Sequence, residues 1–363
     1  MDKKIGILTY HRAQNYGALL QAFALQRAVT QEGGNCEIID YICDKIERDY
    51  ALPSWKDGRS LSGRLRMLLT GRWQKRSREG FERFRAEMLR QSGPCRMQDI
   101  AAVAHDYQIL IAGGDQVFNP RGSGWDDAYF LNIDGASAEK YAYAASFGVF
   151  LRDECQDPLD DIRECLAKFT ALGLRETTAA RIMMRMLPAV PVETVLDPVL
   201  LLTPEEYRAL ESDCGQTPGY LLLYAFELTG QMQDTARRIS RETGKRILYI
   251  TNGVRPIRKL HPMRGVGPRE FLWLMSHAGG LLTDSFHGAA FAVLFGIPFL
   301  TAVKEDDERI PDLLDRLNLK DARLSDAHPS LCDPRNPETI RLLMLERERS
   351  RRFLRGLICH EDQ

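Results

Sequence analysis

The chain has 363 residues, 44% of them hydrophobic, with 49 basic and 50 acidic side chains and a formal net charge of −1. That length suits two α/β domains with a full core in each, and the balance of charge excludes a general nucleic-acid binder, which would carry a basic surplus. The eight cysteines include no Cys-x-x-Cys pair, match no zinc ribbon or finger, and read as free thiols in a reducing compartment.

Met1-Asp-Lys-Lys4 is charged and leads into residues 5–9, an apolar β-like run too short for a signal sequence. The longest apolar run, 288–303, is broken by Gly296 and Pro298 and is too short to span a bilayer, so a cytoplasmic protein is expected. Residues 4–9 read as a buried strand, followed by a polar turn at 11–17, a helix over about 18–33 and a second strand at 36–41. This is the opening of a doubly wound sheet.

Residues 55–92 break the rhythm. Arg64, Arg66, Arg72, Arg76, Arg78, Arg83, Arg85 and Arg90 alternate with Leu65, Met67, Leu68, Trp73, Phe81, Phe84 and Met88. They read as an inserted helical region whose apolar side packs on the domain; the competing reading is a contact to a membrane surface or to an acceptor's phosphate through 64–90.

Strands follow at 107–112, 140–146, 171–175 and 193–196, then a helix from Pro204 capped by Thr203 and a linker at 212–219. A second α/β series has strands at 220–225 and 246–250, helices at about 230–243 and 271–278, a strand at 280–282, a helix at 289–295 and a strand from 297. A charged helix over about 337–357 closes the chain. The expected fold is α/β, two Rossmann-like domains facing across a cleft, with the first at 1–211, the second at 219–335 and the final helix at 336–363 free to pack back on the first.

Four turns at carboxyl ends of strands carry the candidate chemistry, because open α/β sheets bind ligands there. Asp284-Ser-Phe-His287 joins a buried strand to a buried helix, and His287 is the leading candidate for proton transfer. Asn15 and Gly17 either cap the first helix or approach a ligand. Gly113-Gly-Asp-Gln116 with Asn119 suits close approach of a sugar or phosphate, against a plain turn with Asp115 as a cap. Arg175 at a strand end either holds an anion in bidentate fashion or pairs with Glu176 or Asp197. Ser146 lies among small residues with no Gly-x-Ser-x-Gly elbow and reads as packing. No dinucleotide fingerprint and no metal-ligand spacing occurs, so neither cofactor nor metal is expected.

Asn15-Tyr-Gly-Ala-Leu-Leu-Gln21, Gly114-Asp-Gln-Val-Phe-Asn-Pro120, Ala144-Ala-Ser-Phe-Gly148, Leu174-Arg-Glu176, Leu196-Asp-Pro-Val-Leu-Leu201 and Thr283-Asp-Ser-Phe-His-Gly288 run in an order that resembles the polysaccharide pyruvyl transferase family. The resemblance implies a fold like that of GT-B glycosyltransferases. It also implies transfer of a pyruvyl group from phosphoenolpyruvate to two hydroxyls of a saccharide, free or lipid-linked, giving a cyclic ketal in cell-surface polysaccharide synthesis.

On that resemblance His287 is the catalytic acid/base. Arg175, Ser285, Gly288 and Arg255 form the donor side, and Asn15, Gly17, Gly114, Asp115 and Gln116 form the acceptor side. Well-studied members carry Arg-x-His where this chain has Ser285-Phe-His287, and the basic loop with Arg255, Arg258, Lys259 and Arg264 is the expected source of a replacement cation. Two rival readings share the fold: a sugar-nucleotide glycosyltransferase, and a non-catalytic saccharide-binding protein.

Overall fold

The computed structural model describes residues 3–51, 61–148, 159–304, 307–325 and 330–359. Residues 55–60 of the expected insertion, the side chains of Arg64 and Arg66, and Cys155 lie outside the described set.

Two parallel sheets account for the two α/β series. The first contains β1 (Lys4–Leu8), β2 (Asn35–Ile38), β3 (Ile109–Gly113), β4 (Glu139–Ala145), β5 (Ala171–Leu174) and β6 (Val192–Thr194), in the order β2-β1-β3-β4-β5-β6. The second contains β7 (Leu221–Tyr224), β8 (Ile247–Ile250), β9 (Leu260–Met263), β10 (Gly280–Thr283) and β11 (Phe299–Thr301), in the order β11-β10-β7-β8-β9. Central strands such as β3 and β10 are buried throughout, as strands covered on both faces by helices must be. The expectation of two Rossmann-like layers therefore holds.

β9 had no counterpart in the sequence reading. Its His261 and Pro262 interrupt the apolar pattern, and both are exposed. The strand sits at the sheet edge, where proline does not cost a ladder hydrogen bond.

Strand order reverses between β1 and β3 in the first sheet and between β7 and β10 in the second. The loops that leave these four strands are the crevices where doubly wound sheets hold ligands.

Helix α1 (Tyr16–Gln31) starts at Asn15, whose side chain accepts from Ala18 N at 3.2 Å. Next come the short α2 (Asp44–Asp49) and the long α3 (Leu61–Met88), the helical part of the arginine-rich insertion. Phe81 and Phe84 of α3 pack against Tyr16 and Phe23 of α1, with ring centroids 5.1 and 5.9 Å apart. The same helix reaches the second domain, where Ser77 Oγ donates to Val266 O at 2.8 Å and Glu87 accepts from Arg269 at 3.1 Å. Gly80 lies on Gly267 so closely that a Cβ there would be 2.9 Å from the Gly267 Cα. α3 thus bridges both domains.

In the second domain α4 (Pro268–Ser276) and α5 (Phe286–Phe295) form the layer that faces α1. Tyr16 stacks on Phe271 of α4 at 4.4 Å and donates its hydroxyl to Val266 O at 2.9 Å. One continuous apolar cluster runs from Ile5 and Leu20 through Tyr16 to Phe271 and Phe291. The last helix, α6 (Pro337–Ile358), lies on the first domain: Ser350 Oγ accepts from Leu196 N at 2.8 Å, and Arg351 donates to Glu32 at 2.6 Å and Leu201 O at 2.8 Å. Among the described residues no helix is long and apolar enough to cross a membrane.

Candidate functional site

A cleft of about 700 Å³ opens where the two sheets' crevices meet. The first domain contributes Tyr10, Ala13, Asn15, Asp115 and Gln116, with Ile46, Asp49 and Tyr50 from α2 and the turn after it. The second contributes Phe226, Asp284 through His287, Lys304, Asp307 and Arg309. A depression of about 740 Å³ elsewhere, lined by Phe23, Cys36, Met88 and Leu210 among others, is mainly apolar and touches neither crevice.

His287 is delivered by the turn from β10 to α5. α5 begins at Phe286, three residues earlier than the apolar run suggests, because Ser285 caps it: its Oγ accepts from Gly288 N at 3.3 Å. His287 therefore sits in the first helical turn, only 6% exposed. Its ring lies against α1, and a Cβ on Gly17 would come within 2.0 Å of His287 Nδ1. The far side of the ring meets the first domain again, with Nε2 3.5 Å from Asp197 Oδ2.

Asp197 is buried at the end of the Leu196-Asp-Pro segment. Burial pushes its carboxyl up, but the His287 ring, Arg175 and the Val199 N–H outweigh burial and lower its pKa to about 2. Arg175, 2% exposed, donates from Nη1 to Asp197 at 2.9 Å and from Nε to Glu176 at 3.2 Å; its Nη2 is 3.9 Å from Asp115. Phe286 covers the guanidinium at 4.3 Å. Burial alone would lower the Arg175 pKa, yet Glu176, Asp197 and Asp115 together raise it, while burial raises that of Glu176 against the pull of Arg175. Arg175 Nη2, His287 Nε2 and Glu176 Oε2 are buried without a hydrogen-bond partner among the described residues.

Asp284 has a separate task. Its two oxygens accept from Phe226 N at 2.7 Å and Glu227 N at 2.8 Å, tying the β7 loop to the β10 loop across the strand reversal.

Of the residues singled out by sequence, Asn15, Asp115, Gln116, Ser285 and His287 line the cleft together. Gly17, Gly114 and Gly288 do not. Gly17 makes room for His287, Gly114 (φ +60) for the Gln21 amide, and Gly288 for Thr283 and Tyr224. Arg175 stands behind the floor, in the carboxylate cluster. Arg255, Arg258 and Lys259 are exposed away from the lining, and Arg264 lies over the Trp73 ring at 4.6 Å. The lysine and arginine in the cleft lining are instead Lys304 and Arg309, which follow β11 and carry no motif that could have announced them. Lys304 is 3.5 Å from Glu227 and Arg309 pairs with Asp307 at 2.6 Å. Among the described residues no group of histidine, cysteine and acidic side chains could hold a metal ion.

This two-domain arrangement is a GT-B-type fold. It is similar to a putative UDP-N-acetylglucosamine 2-epimerase from Listeria monocytogenes (12% identity, 98% of this chain and 91% of that chain, TM-score 0.54). It is also similar to another UDP-N-acetylglucosamine 2-epimerase (13% identity, 99% and 95%, TM-score 0.54) and to the UDP-GlcNAc 2-epimerase of Methanocaldococcus jannaschii (14% identity, 94% and 92%, TM-score 0.51). At such identities the likeness concerns the fold alone. No curated protein matches in sequence. Residues 15–304 match the family model for polysaccharide pyruvyl transferase, and the chain belongs to that family; it is a transferase.

Proposed function

We propose that the protein moves a pyruvyl group from phosphoenolpyruvate to two hydroxyls of one saccharide, forming a cyclic ketal and releasing phosphate. The observation that carries this reading is His287, a nearly buried imidazole that reaches the interdomain cleft while the other domain's Asp197 faces its Nε2.

The chemistry needs proton transfers and anion recognition. The methylene carbon of the donor takes a proton, C2 accepts the first acceptor oxygen, the C2–O bond to phosphorus breaks with its electron pair leaving on phosphate, and the second acceptor oxygen closes the ketal. The two hydroxyl protons balance the step: one ends on the new methyl group and one on phosphate. A single group that accepts and returns protons near neutral pH suits this exchange, and imidazole is such a group. Asp197, 3.5 Å from Nε2, would orient the ring.

Lys304 and Arg309 supply cations at the rim for the donor's carboxylate and phosphate, with the Arg175 charge behind the floor. The lining carboxylates are largely engaged already, Asp284 by two N–H groups, Asp307 by Arg309 and Asp49 by Lys45 at 2.5 Å. They repel an anionic donor less than their number suggests.

The test is calorimetric titration of phosphoenolpyruvate beside UDP- and GDP-sugars into wild type and Lys304→Ala. Saturable binding of phosphoenolpyruvate alone is expected, weakened roughly 10- to 100-fold in the variant, the worth of one charge-assisted contact. Phosphate release with an acceptor should then vanish in His287→Ala. Binding of sugar nucleotides only would overturn the reading. Arg175→Ala is a poor probe, because it would leave Asp197 and Glu176 buried without their cation.

A further inference from the structure

A second, smaller cavity shares the Ala13 wall of the cleft. It measures about 60 Å³ and lies between the loop after β1, α2 and α3, lined by Arg12, Glu47, Arg78, Phe81, Glu82 and Arg85 among others. His287 does not line it. The cavity is roughly a tenth of the cleft's volume, a size suited to a small anion rather than a sugar ring.

Three arginines line it, and two of them are paired with carboxylates. Arg12 is held by Asp40 at 2.7 and 2.8 Å, and His11 Nε2 takes the same carboxylate at 2.8 Å. Arg78 reaches Glu82 at 3.0 Å, an exposed pair within one helix and worth at most ~1 kcal/mol. Arg85 follows at the spacing that puts residues 78, 82 and 85 on one helix face. It is half-buried, and among the described residues its guanidinium pairs with no carboxylate at ion-pair distance. Burial and the nearby Arg12 charge lower its pKa against the opposing pull of Asp40, Glu47 and Glu82. Glu47 and Glu82 are 37% and 55% exposed, and Glu47 accepts from Arg12 at 3.4 Å.

We propose that this cavity is a phosphate-binding subsite, in which Arg12, Arg78 and Arg85 hold a phosphate carried by the acceptor while the acceptor's sugar lies in the adjoining cleft. Guanidinium groups converging from separate elements suit a tetrahedral anion with several acceptor oxygens. The inference rests on the reading that the cleft takes a saccharide. It gives the arginine-rich helix a task beyond packing: Phe81 and Phe84 anchor the helix, while Arg78 and Arg85 line the cavity.

The experiment is titration of inorganic phosphate into the full chain. Saturable binding is expected for wild type, at least tenfold weaker in Arg85→Gln and unchanged in Arg83→Gln, which removes the same charge from an exposed position on the same helix. Arg78→Gln gives a second reading should Arg85→Gln melt below wild type. No saturable binding, or equal loss in Arg83→Gln and Arg85→Gln, overturns the proposal. Competition then separates the sources of the phosphate. Stronger displacement by farnesyl diphosphate supports a lipid-linked acceptor, stronger displacement by UDP a nucleotide-linked one, and equal displacement by both a site for the phosphate alone. Failure of both to compete overturns it. Because no donor is present, a failure of phosphoenolpyruvate to bind the cleft would leave this readout unaffected.

Discussion

Gly17→Ala tests how the imidazole is held. Gly17 lies in the first turn of α1 without a positive φ, so its backbone accepts alanine, and helix propensity alone would favour the change by up to ~1 kcal/mol. The new Cβ, however, would stand 2.0, 2.3 and 2.7 Å from His287 Nδ1, Cγ and Cε1. The ring must move by at least about 1 Å to restore contact, and overpacking of this kind costs about 1–3 kcal/mol. In a His287→Ala background the obstacle is gone and only the propensity gain remains. The substitution should therefore lower the melting temperature of wild type and leave unchanged or raise that of His287→Ala, with a coupling of about 2–3 kcal/mol. At ~2–4 °C per kcal/mol for domains of this size, the double-mutant cycle should show a difference of roughly 4–12 °C by scanning calorimetry. Equal effects in both backgrounds would refute the placement of His287 against Gly17. In wild type the displaced ring should also slow phosphate release on the order of 100-fold, the penalty for a misplacement of about 1 Å.

Asp197→Asn keeps the acceptor for Val199 N and removes only the charge. Because the Asp197 pKa falls from 3.8 to about 2 on folding, its stabilisation is fully present above pH ~4 and lost as pH falls toward ~2. The variant should melt below wild type by the equivalent of about 2–4 kcal/mol at pH 7, and the gap should close between pH 4 and 2; a gap independent of pH would show that Asp197 is not ionised in the fold. Asp284→Ala should cost about 1–3 kcal/mol and speed amide exchange at Phe226 and Glu227, and unchanged exchange there would remove Asp284 from its clamp. Ser285→Arg should lose the cap of α5, about 1 kcal/mol, while adding a cation at the cleft; a folded variant with no gain in phosphoenolpyruvate affinity would mean that the donor's charge is not read at this turn.

Apolar runs located most of the strands within a residue or two, since β3, β7 and β10 are buried on both faces and leave no polar interruption. They misplaced the start of α5 because the signal there is a cap, Ser285 Oγ to Gly288 N, and not a change in hydropathy. The cleft position of His287 was legible in the strand-turn-helix pattern. Lys304 and Arg309 were not, because nothing local marks them and only the fold carries the end of β11 to the cleft. The loop of Arg255 and Arg258 is conspicuous in sequence by its charge, but it leaves β8, one strand away from the reversal, and does not line the cleft.

The two most motif-like segments make sense only against each other. In Asn15-Tyr-Gly17 the asparagine caps α1, the tyrosine stacks on Phe271 of the other domain and the glycine leaves space for an imidazole. In Ser285-Phe-His287 the serine caps α5, the phenylalanine covers Arg175 of the other domain and the histidine fills that space. Each domain therefore lacks half of what surrounds the His287 imidazole: the second provides the ring, and the first provides its wall at Gly17 and the carboxylate of Asp197. Any change that shifts the Tyr16–Phe271 stack must alter the distance between His287 and Asp197, so mutations at the domain interface should reach the chemistry without touching the cleft.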